Sequence, residues 1–366
     1  MIFEVNRTDF RQTRVVDAPP TALAPGQVRL EVERFAFTSN NISYAVAGDM
    51  LDYWGFFPAE QPWGRIPAIG IGLVAESANA DITVGGRYFG FYPMAAELVI
   101  DAQRLGEHSF RDIGAHRAHH AVTYTDFRDI SADPSLDADR TDQYLLLWGM
   151  FMTAFLVDDH LCDQAFAGAS QTLVTSASSK TSISLASCLA ARRDVRAVGL
   201  TSARNREFVD GLDLYDHVST YDEVDQLDPA VRSGLVDMAG NAAVRASVHQ
   251  HFADNLAFST SVGATHWEAL QGHADPLPGP TPEFFFAPGQ RAKRVVEWGA
   301  VELDARIELA YGRLLDHSTR WLQIEHRKGP DGVEATYRDL LEGRADPAAG
   351  FVCTVHPETL QMEELT

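Results

Sequence analysis

Three serines and one lysine have the residue types and spacing of a phosphate-binding turn. Ser176, Ser179 and Ser182 stand three residues apart, and Lys180 follows the second of them. The serines occupy the places of glycines in a G-x-x-G-x-x-G turn, whose backbone N–H groups bind dinucleotide phosphates at the start of a helix. Serine is small, but its Cβ disfavours positive φ, so the serines alone are a weak signal. The other hydroxyl residues assigned to this predicted site are Ser178 and Thr181.

Lys180 strengthens the phosphate interpretation. A helix N-terminus disfavours a cation unless an anion lies beside it. Two other chemistries fail on spacing: a P-loop needs G-x-x-x-x-G-K-[ST], and a serine–lysine nucleophile pair needs serine where Ala177 stands. A solvated lysine that tolerates the helix dipole is the open alternative.

Strand and helix patterns explain how this turn is held. A β-branched run over 172–175 precedes the turn, and an apolar helical pattern follows it. Four further buried strands are predicted at 195–201, 216–221, 234–240 and 256–263, with helical patterns between them. This alternation predicts a doubly wound parallel sheet that binds its ligand at the carboxyl ends of the strands.

The part of the chain before this sheet reads as β-rich. Val28, Leu30 and Val32 alternate with charged residues, and glycine and proline turns separate several such runs, which predicts a small barrel-like domain. The aromatic-rich stretch 40–63 could line an apolar pocket or pack as ordinary core. A strongly apolar stretch over 143–161 predicts a buried helix.

Residues 106–142 interrupt the β pattern and are expected to form a solvent-facing insertion. His116 and His119 could share a helical face, but no further ligands are recognisable nearby, so no metal site is expected. The three cysteines are scattered, which argues against disulfides and cysteine knuckles.

The net charge of −21 disfavours nucleic acid and anionic membranes as partners. The residues from Met1 lack the pattern of a signal peptide, and no apolar stretch reaches the roughly 18 residues needed to cross a bilayer. These features predict a cytoplasmic protein that acts on a small molecule.

The turn after the second predicted strand indicates which dinucleotide is bound. NAD-binding proteins carry an acid there, whereas a cation and hydroxyls accept the 2′-phosphate of NADP. Here the turn offers Thr201, Ser202, Arg204 and Asn205 and no acid. A guanidinium beside hydroxyl groups suits a phosphate dianion, so NADP is predicted. A solvated turn with Ser202 as helix cap is the alternative.

In the order of these parts, the chain resembles the medium-chain dehydrogenase/reductase superfamily, in its zinc-free, quinone-oxidoreductase-like branch. The matching pieces are 37–41, 67–70, 84–88, 96–97, the turn 176–182, 236–237, 262–263, 341–344 and the stretch 199–205. The resemblance implies an α/β protein with a GroES-like β-rich domain and a Rossmann domain. The predicted domain bounds are 1–142 for the GroES-like domain with the insertion, 143–285 for the Rossmann domain, and 286–366 for a C-terminal segment that returns to the first domain.

The resemblance also implies further site residues. Gly240, Val262 and Gly263 join the predicted cofactor site, and the turn at Asn40 approaches the nicotinamide. Tyr44 is then the candidate proton donor with Asn40 as a second polar contact, whereas Tyr124 is a poorer candidate and ordinary packing of Tyr44 stays open. Zinc-dependent members carry an early cysteine and Gly-His-Glu, both missing here, so catalytic zinc is not expected. A homodimer is the expected assembly.

Two functions follow, in different classes. The first is an NADPH-dependent, zinc-free oxidoreductase that reduces a carbonyl or an activated C=C bond of a small apolar substrate. The alternative is a non-enzymatic nucleotide-binding or structural protein on the same fold, because a fold does not fix function. An ATP-dependent enzyme that uses residues 179–181 is the least supported reading.

Overall fold

The computed structural model describes residues 1–17, 19, 21–132, 138–238, 240–262 and 277–356. The chain forms two compact units, Met1–Leu146 with the chain from Gln323 onwards, and Leu147–Leu322. The predicted return to the first domain began at 286, whereas the first unit resumes at Gln323. The difference arises because two long helices between these positions belong to the second unit.

The regular elements are numbered in chain order over the described residues. The strands are β1 Ile2–Asn6, β2 Asp9–Val16, β3 Gln27–Phe37, β4 Trp63–Gly64, β5 Pro67–Ser77, β6 Arg87–Pro93, β7 Glu97–Gly106, β8 Ser109–Asp112, β9 Asp126–Asp129, β10 Gln171–Val174, β11 Arg196–Thr201, β12 His217–Thr220, β13 Ser233–Asp237, β14 Leu256–Ser261, β15 Glu283–Phe284, β16 Gln323–Lys328 and β17 Ala349–Thr354. The helices are α1 Ser39–Val46, α2 Thr141–Asp163, α3 Lys180–Arg192, α4 Arg206–Asp210, α5 Ala242–Phe252, α6 Ala287–Trp298, α7 Ala300–Ser318 and α8 Gly329–Leu341.

The first unit is a closed antiparallel barrel. Strand β3 pairs with both β5 and β7, which closes the ring β3-β5-β6-β9-β8-β7, and β17 and β16 extend the sheet beyond β3. Val28, Leu30 and Val32 are at most 1% exposed, as their alternation predicts. Closure leaves the ring without free strand edges, and the inward side chains form one core.

Residues 106–142 were expected to form a solvent-facing insertion, but the structure places two strands of this segment in the barrel. Strand β8 pairs with β7, and β9 pairs with β8 and β6. Phe110 and Phe127 are fully buried, with parallel rings 5.2 Å apart. The segment is therefore part of the barrel wall over these strands.

The second unit contains a parallel sheet of six described strands in the order β12-β11-β10-β13-β14-β15. The strand order reverses between β10 and β13, and this reversal is the place where doubly wound sheets bind ligands. Both faces of the sheet carry buried apolar clusters. The predicted fold class, a β-rich barrel domain with a doubly wound parallel-sheet domain, is confirmed.

Helix α2 corrects one expectation from the sequence. It is 23 residues long, and an 18-residue window within it is apolar enough to cross a membrane by length and composition. Of this window, 61% is buried inside the protein. Phe151 and Ala154, for example, are 0% exposed, and the Phe151 ring lies 4.9 Å from that of Tyr311. Such burial is typical of a core helix.

Candidate functional site

The turn between β10 and α3 adopts a left-handed step without glycine. Ser176 has φ +49°, the conformation that the glycines of this turn usually supply. Its backbone N–H donates to the hydroxyl of Tyr221 at 3.1 Å. The next residue, Ala177, donates its N–H to the carbonyl of Leu200 at 3.0 Å. Tyr221, which the sequence analysis missed, therefore helps to hold this strained residue in place.

Serine hydroxyls tie the same turn to the strand and the helix. Ser179 caps α3 by accepting from the backbone N–H of Ser182 at 3.2 Å, and its hydroxyl donates to that of Ser182 at 2.9 Å. The Ser182 hydroxyl, fully buried, donates to the carbonyl of Thr175 at 2.8 Å. Where a glycine would allow close approach of helix and strand, a hydrogen-bonded serine links the two elements.

The N-terminus of α3 has the electrostatic character of an anion site. Lys180 is its first residue, Thr181 its second, and both are partly buried. The first turn contains no acidic residue. The helix dipole adds partial positive charge at this end, where Lys180 also places a cationic side chain.

The predicted 2′-phosphate residues lie on the neighbouring strand end. Thr201 ends β11 and is buried, Ser202 precedes a 3-10 turn at Ala203–Asn205, and the side chain of Arg204 is exposed on that turn. Asn205 Nδ2 donates to Ser178 Oγ at 2.9 Å. The structure thus brings the two predicted phosphate-binding segments into direct contact.

A buried ion pair lies where β13 ends, beside this turn. Asp237 Oδ1 accepts from the Thr175 hydroxyl at 3.0 Å and from the backbone N–H of Gly240 at 3.0 Å. Asp237 Oδ2 lies 3.2 Å from Arg245 Nη1, and the two side chains are 1% and 7% exposed. The sequence analysis placed Asp237 within the predicted strand 234–240 but did not identify it as the residue that connects β10, β13 and α5.

Two of the three remaining predicted cofactor residues are held by Asp237. Gly240 is buried with φ +68°, and Val262 donates its N–H to the Asp237 carbonyl at 2.9 Å. Gly263 lies outside the described residues. Gly240 and Val262 therefore follow the carboxyl ends of β13 and β14, the edge at which a ligand was predicted.

The predicted reactive residues lie in the first unit, on α1. Asn40 and Tyr44 lie one turn apart on this helix, and burial raises the pKa of the Tyr44 hydroxyl well above its usual value. The neighbouring Asn41 has a structural role, because it accepts from the Thr38 backbone and donates to the Pro67 carbonyl, both at 2.8 Å. Tyr44 thus carries a protonated hydroxyl on a fixed helix.

Aromatic rings surround Tyr44. Its ring stacks on that of Tyr53 at 4.3 Å and meets Phe91 edge-on at 5.9 Å. The Tyr53 ring in turn meets that of Tyr124 edge-on at 6.5 Å, and burial raises the pKa of both hydroxyls. The two tyrosines weighed in the sequence analysis, Tyr44 and Tyr124, therefore belong to one aromatic cluster.

A cluster of titratable groups adjoins these rings. The Asp52 carboxylate lies 2.6 Å from His119 Nε2 and 3.1 Å from His120 Nε2. The hydrogen bond from His119 lowers the pKa of Asp52, and burial lowers the pKa of His120. The sequence analysis considered His116 with His119 and expected no metal site. The structure instead groups His119 and His120 with Asp52, 67 residues earlier.

Comparison with known proteins places this geometry in a family and a fold. The family model described as "Protein of unknown function (DUF2855)" matches residues 35–346. No curated protein matches the chain.

Among solved structures, the chain is similar to CurA from Vibrio vulnificus in complex with NADPH, at a TM-score of 0.60 and 13% identity, with 97% of each chain covered. It is similar to the quinone oxidoreductase from Coxiella burnetii, at a TM-score of 0.56 and 14% identity, with 97% of this chain and 99% of that one covered. It is also similar to the yhdH oxidoreductase from Salmonella enterica in complex with NADP, at a TM-score of 0.52 and 13% identity, with 94% of this chain and 95% of that one covered. The predicted resemblance to medium-chain dehydrogenases/reductases is confirmed at the level of the fold.

Proposed function

We propose that this chain, which belongs to the family described as "Protein of unknown function (DUF2855)", is an NADPH-dependent oxidoreductase that reduces a carbonyl or an activated C=C bond of a small apolar substrate. The observation that carries the proposal is the contact between Asn205 and Ser178. It joins the turn before α3 to the turn after β11, the two segments whose side chains suit the phosphates of NADP. CurA and the yhdH oxidoreductase, which are similar to this chain in fold, are structures in complex with NADPH and NADP.

The donor set of the α3 turn fits a pyrophosphate. Lys180 supplies a cation, Ser178 and Thr181 supply hydroxyls, and the helix N-terminus supplies oriented N–H groups. Ser176 and Ser179 shape the turn, and Gly240 and Val262 border the same strand edge. In this proposal these residues hold the shared part of the dinucleotide.

The turn after β11 fits the 2′-phosphate. Arg204 offers a guanidinium fork, and Thr201 and Ser202 are the hydroxyl residues beside it. The segment that we assign to the 2′-phosphate contains no carboxylate to prefer the ribose hydroxyl of NAD. This composition supports NADP over NAD.

In this proposal Tyr44 is the proton donor and Asn40 its polar partner. Bound NADPH supplies the hydride. A developing oxyanion then needs a hydrogen-bond donor, and the Tyr44 hydroxyl is the group that we assign to this role. The aromatic rings of Tyr53 and Phe91 beside it suit an apolar substrate.

The proposed reaction uses no zinc at the place where zinc-dependent relatives hold it. Gly70 and Gly72 stand there on β5, and each faces close neighbours. A Cβ on Gly72 would lie 2.8 Å from the ring of Tyr92, and a Cβ on Gly70 would lie 2.8 Å from the carbonyl of Arg34. Ligand side chains at these positions would displace the barrel wall.

A non-enzymatic nucleotide-binding or structural role is the second candidate, and one observation favours it. The Ser179 hydroxyl already accepts from the N–H of Ser182, so the protein itself caps part of the helix N-terminus where a phosphate would bind. Binding of NADPH without turnover of any electrophile would support this candidate.

We further propose a homodimer in the cytoplasm. Strand β15 is the last described strand at one edge of the parallel sheet, and Phe284 and Phe286 beside it are 40% and 61% exposed. Val301 and Leu309 on α7 are 86% and 70% exposed. Exposed apolar side chains at this edge of the described sheet favour association with a second copy. Light scattering on wild type and Phe286→Glu tests the dimer.

The experiment for the reaction is NADPH oxidation against a panel of quinones, enones and aldehydes. We expect turnover of at least one class, with kcat about 10²-fold lower in Tyr44→Phe and an unchanged Kd for NADPH. Ser43→Ala, a change on the same helix at an exposed hydroxyl, is the matched control. Tight NADPH binding with no turnover of any class contradicts the enzymatic proposal.

A further inference from the structure

Outside the proposed nucleotide site, two histidines converge on one carboxylate. His119 Nε2 and His120 Nε2 lie 2.6 and 3.1 Å from the same oxygen, Asp52 Oδ2. The three ligand atoms all lie within 4.8 Å of one another. We propose that Asp52, His119 and His120 bind a divalent metal ion of the zinc class, which fixes the aromatic cluster around Tyr44.

The donor set and its spacing support a transition metal. Two imidazoles and one carboxylate form a ligand set that suits Zn²⁺, Co²⁺ and Ni²⁺ better than Ca²⁺ or Mg²⁺, which prefer oxygen ligands. Zinc bonds of about 2.0–2.1 Å place neighbouring ligand atoms of a tetrahedral site about 3.3 Å apart. The His120–Asp52 separation is close to this value, and the His119–Asp52 pair needs a shift of about 0.7 Å.

The backbone orients two of the ligands before any metal binds. Asp52 has φ +55° and precedes the 3-10 turn at Tyr53–Gly55. The His120 side chain is 6% exposed, and its ring stacks on Phe56 at 3.8 Å. Its Nδ1 is buried without a hydrogen-bond partner, and its Nε2 also lies 3.2 Å from the Asp52 backbone carbonyl, so stacking and this contact together set the direction of Nε2.

A buried ion pair anchors the segment that carries His119 and His120. His120 donates its backbone N–H to the carbonyl of Arg117 at 3.1 Å. The Arg117 guanidinium lies 3.0 Å from Asp112, at the end of β8, and these two side chains are 0% and 2% exposed. Because Arg117 is anchored to the barrel wall, the histidine ligands are carried on a fixed segment.

The exposed side of the cluster allows an ion to enter. The side chains of His119 and Asp52 are 62% and 51% exposed. Three protein ligands leave a fourth tetrahedral position, which water can occupy. The cluster therefore offers three protein ligand atoms on one side and access to solvent on the other.

Metal binding at this place would join two segments that both carry aromatic residues. Asp52 is followed by Tyr53 and Phe56, and His120 is followed by Tyr124. Tyr53 stacks on Tyr44, and Phe56 meets Tyr124 at 5.5 Å. A bound ion would cross-link these two segments and so hold their rings together. This inference rests on geometry alone and does not depend on the proposed reaction.

The test is a titration of the untagged, chelator-treated full chain with Co²⁺ and Zn²⁺. We expect one ion per chain, visible d–d absorption from Co²⁺ that Zn²⁺ abolishes, and a higher Tm with Zn²⁺. His119→Ala, His120→Ala and Asp52→Asn should each weaken binding at least tenfold. His119→Ala changes an exposed side chain, so it tests the site even if a variant at buried His120 fails to fold.

His116→Ala is the matched control, since His116 is exposed on the same segment and outside the cluster. It should bind Co²⁺ as tightly as wild type. Two results would overturn the proposal: no stoichiometric metal binding by the folded wild type, or an equal loss of Co²⁺ affinity in His116→Ala and His119→Ala. Either result would mean that the cluster is held by hydrogen bonds and binds no metal. NADPH titration of the same sample is independent, because its site lies in the other unit.

Discussion

Asn205 and Ser178 are joined side chain to side chain, with Asn205 Nδ2 donating to Ser178 Oγ at 2.9 Å. This bond links the turns that follow neighbouring strands β11 and β10. It places the residues that we assign to the 2′-phosphate beside those that we assign to the pyrophosphate. The bond is therefore a direct side-chain link between the two segments that we propose to bind phosphate.

Loss of this contact should weaken NADPH binding through geometry. We expect Asn205→Ala and Ser178→Ala each to raise the Kd for NADPH about tenfold, which corresponds to about 1.4 kcal/mol. The Kd of the double variant for NADPH should exceed that of either single variant by much less than a further tenfold, because both changes remove the same bond. Calorimetric titration of the four proteins measures this coupling, and full additivity would show that the bond does not organise the site.

The buried pair Asp237–Arg245 should dominate the stability of the second unit. Asp237→Ala leaves the Arg245 guanidinium buried without its carboxylate, and we expect unfolding in urea to become easier by about 3–5 kcal/mol. Asp304→Ala removes the more exposed ion pair with Arg291 and should cost at most about 1 kcal/mol, so it serves as the control. Equal losses in the two variants would contradict the assigned role.

Ser176 should tolerate glycine but not a β-branched residue. Its φ of +49° is unfavourable for serine. Ser176→Gly removes that strain but gives the unfolded chain more freedom, so the net change should stay within about 1 kcal/mol. Ser176→Val should destabilise by about 1–3 kcal/mol. Thermal unfolding of both variants tests this order, and the reverse order would mean that the turn is not left-handed in solution.

His249 should make stability fall in mild acid. The residue is fully buried, its Nδ1 lies 2.8 Å from the Pro278 carbonyl and its Nε2 lies 2.9 Å from Ser259 Oγ. Burial lowers its pKa below the ordinary value of 6.5. The unfolded chain therefore takes up the proton first as pH falls, and stability present above pH 6.5 is lost below it.

The comparison that isolates this effect is wild type against His249→Gln, which keeps a donor and an acceptor but does not titrate in this range. Between pH 7 and about 5 the wild type should lose stability more steeply, by up to about 1.4 kcal/mol per pH unit. Parallel pH profiles of unfolding free energy would exclude His249 as the titrating group.

The sequence predicts the fold well where local patterns are strong. The alternation of Val28, Leu30 and Val32, the apolar run of α2 and the five βα repeats each exceed the length at which periodicity is informative. Strands β8 and β9 were missed because each has one apolar residue, Phe110 or Phe127, among polar and charged neighbours. Barrel closure, which buries these rings, is not a local property.

The site could be predicted only in part, for the same reason. Ser176, Lys180 and Arg204 lie on short segments whose residue types and spacing already predict a phosphate site. The contacts that hold the site together involve residues from other elements. The Tyr221 hydroxyl accepts from the Ser176 amide, and Arg245 on α5 pairs with Asp237 at the end of β13. Such contacts depend on how strands and helices pack, so no spacing rule in the sequence contains them.

The most direct measurement is calorimetric titration of NADPH and NADH into wild type, Lys180→Ala, Arg204→Ala and Arg206→Ala. Lys180→Ala should weaken both nucleotides, whose pyrophosphate is common, whereas Arg204→Ala should weaken NADPH tenfold or more and leave NADH unchanged. Arg206→Ala is the control, since Glu223 holds that guanidinium at 2.7 Å. Tight NADPH binding with these two losses supports the account, and no heat from either nucleotide in a folded sample contradicts it.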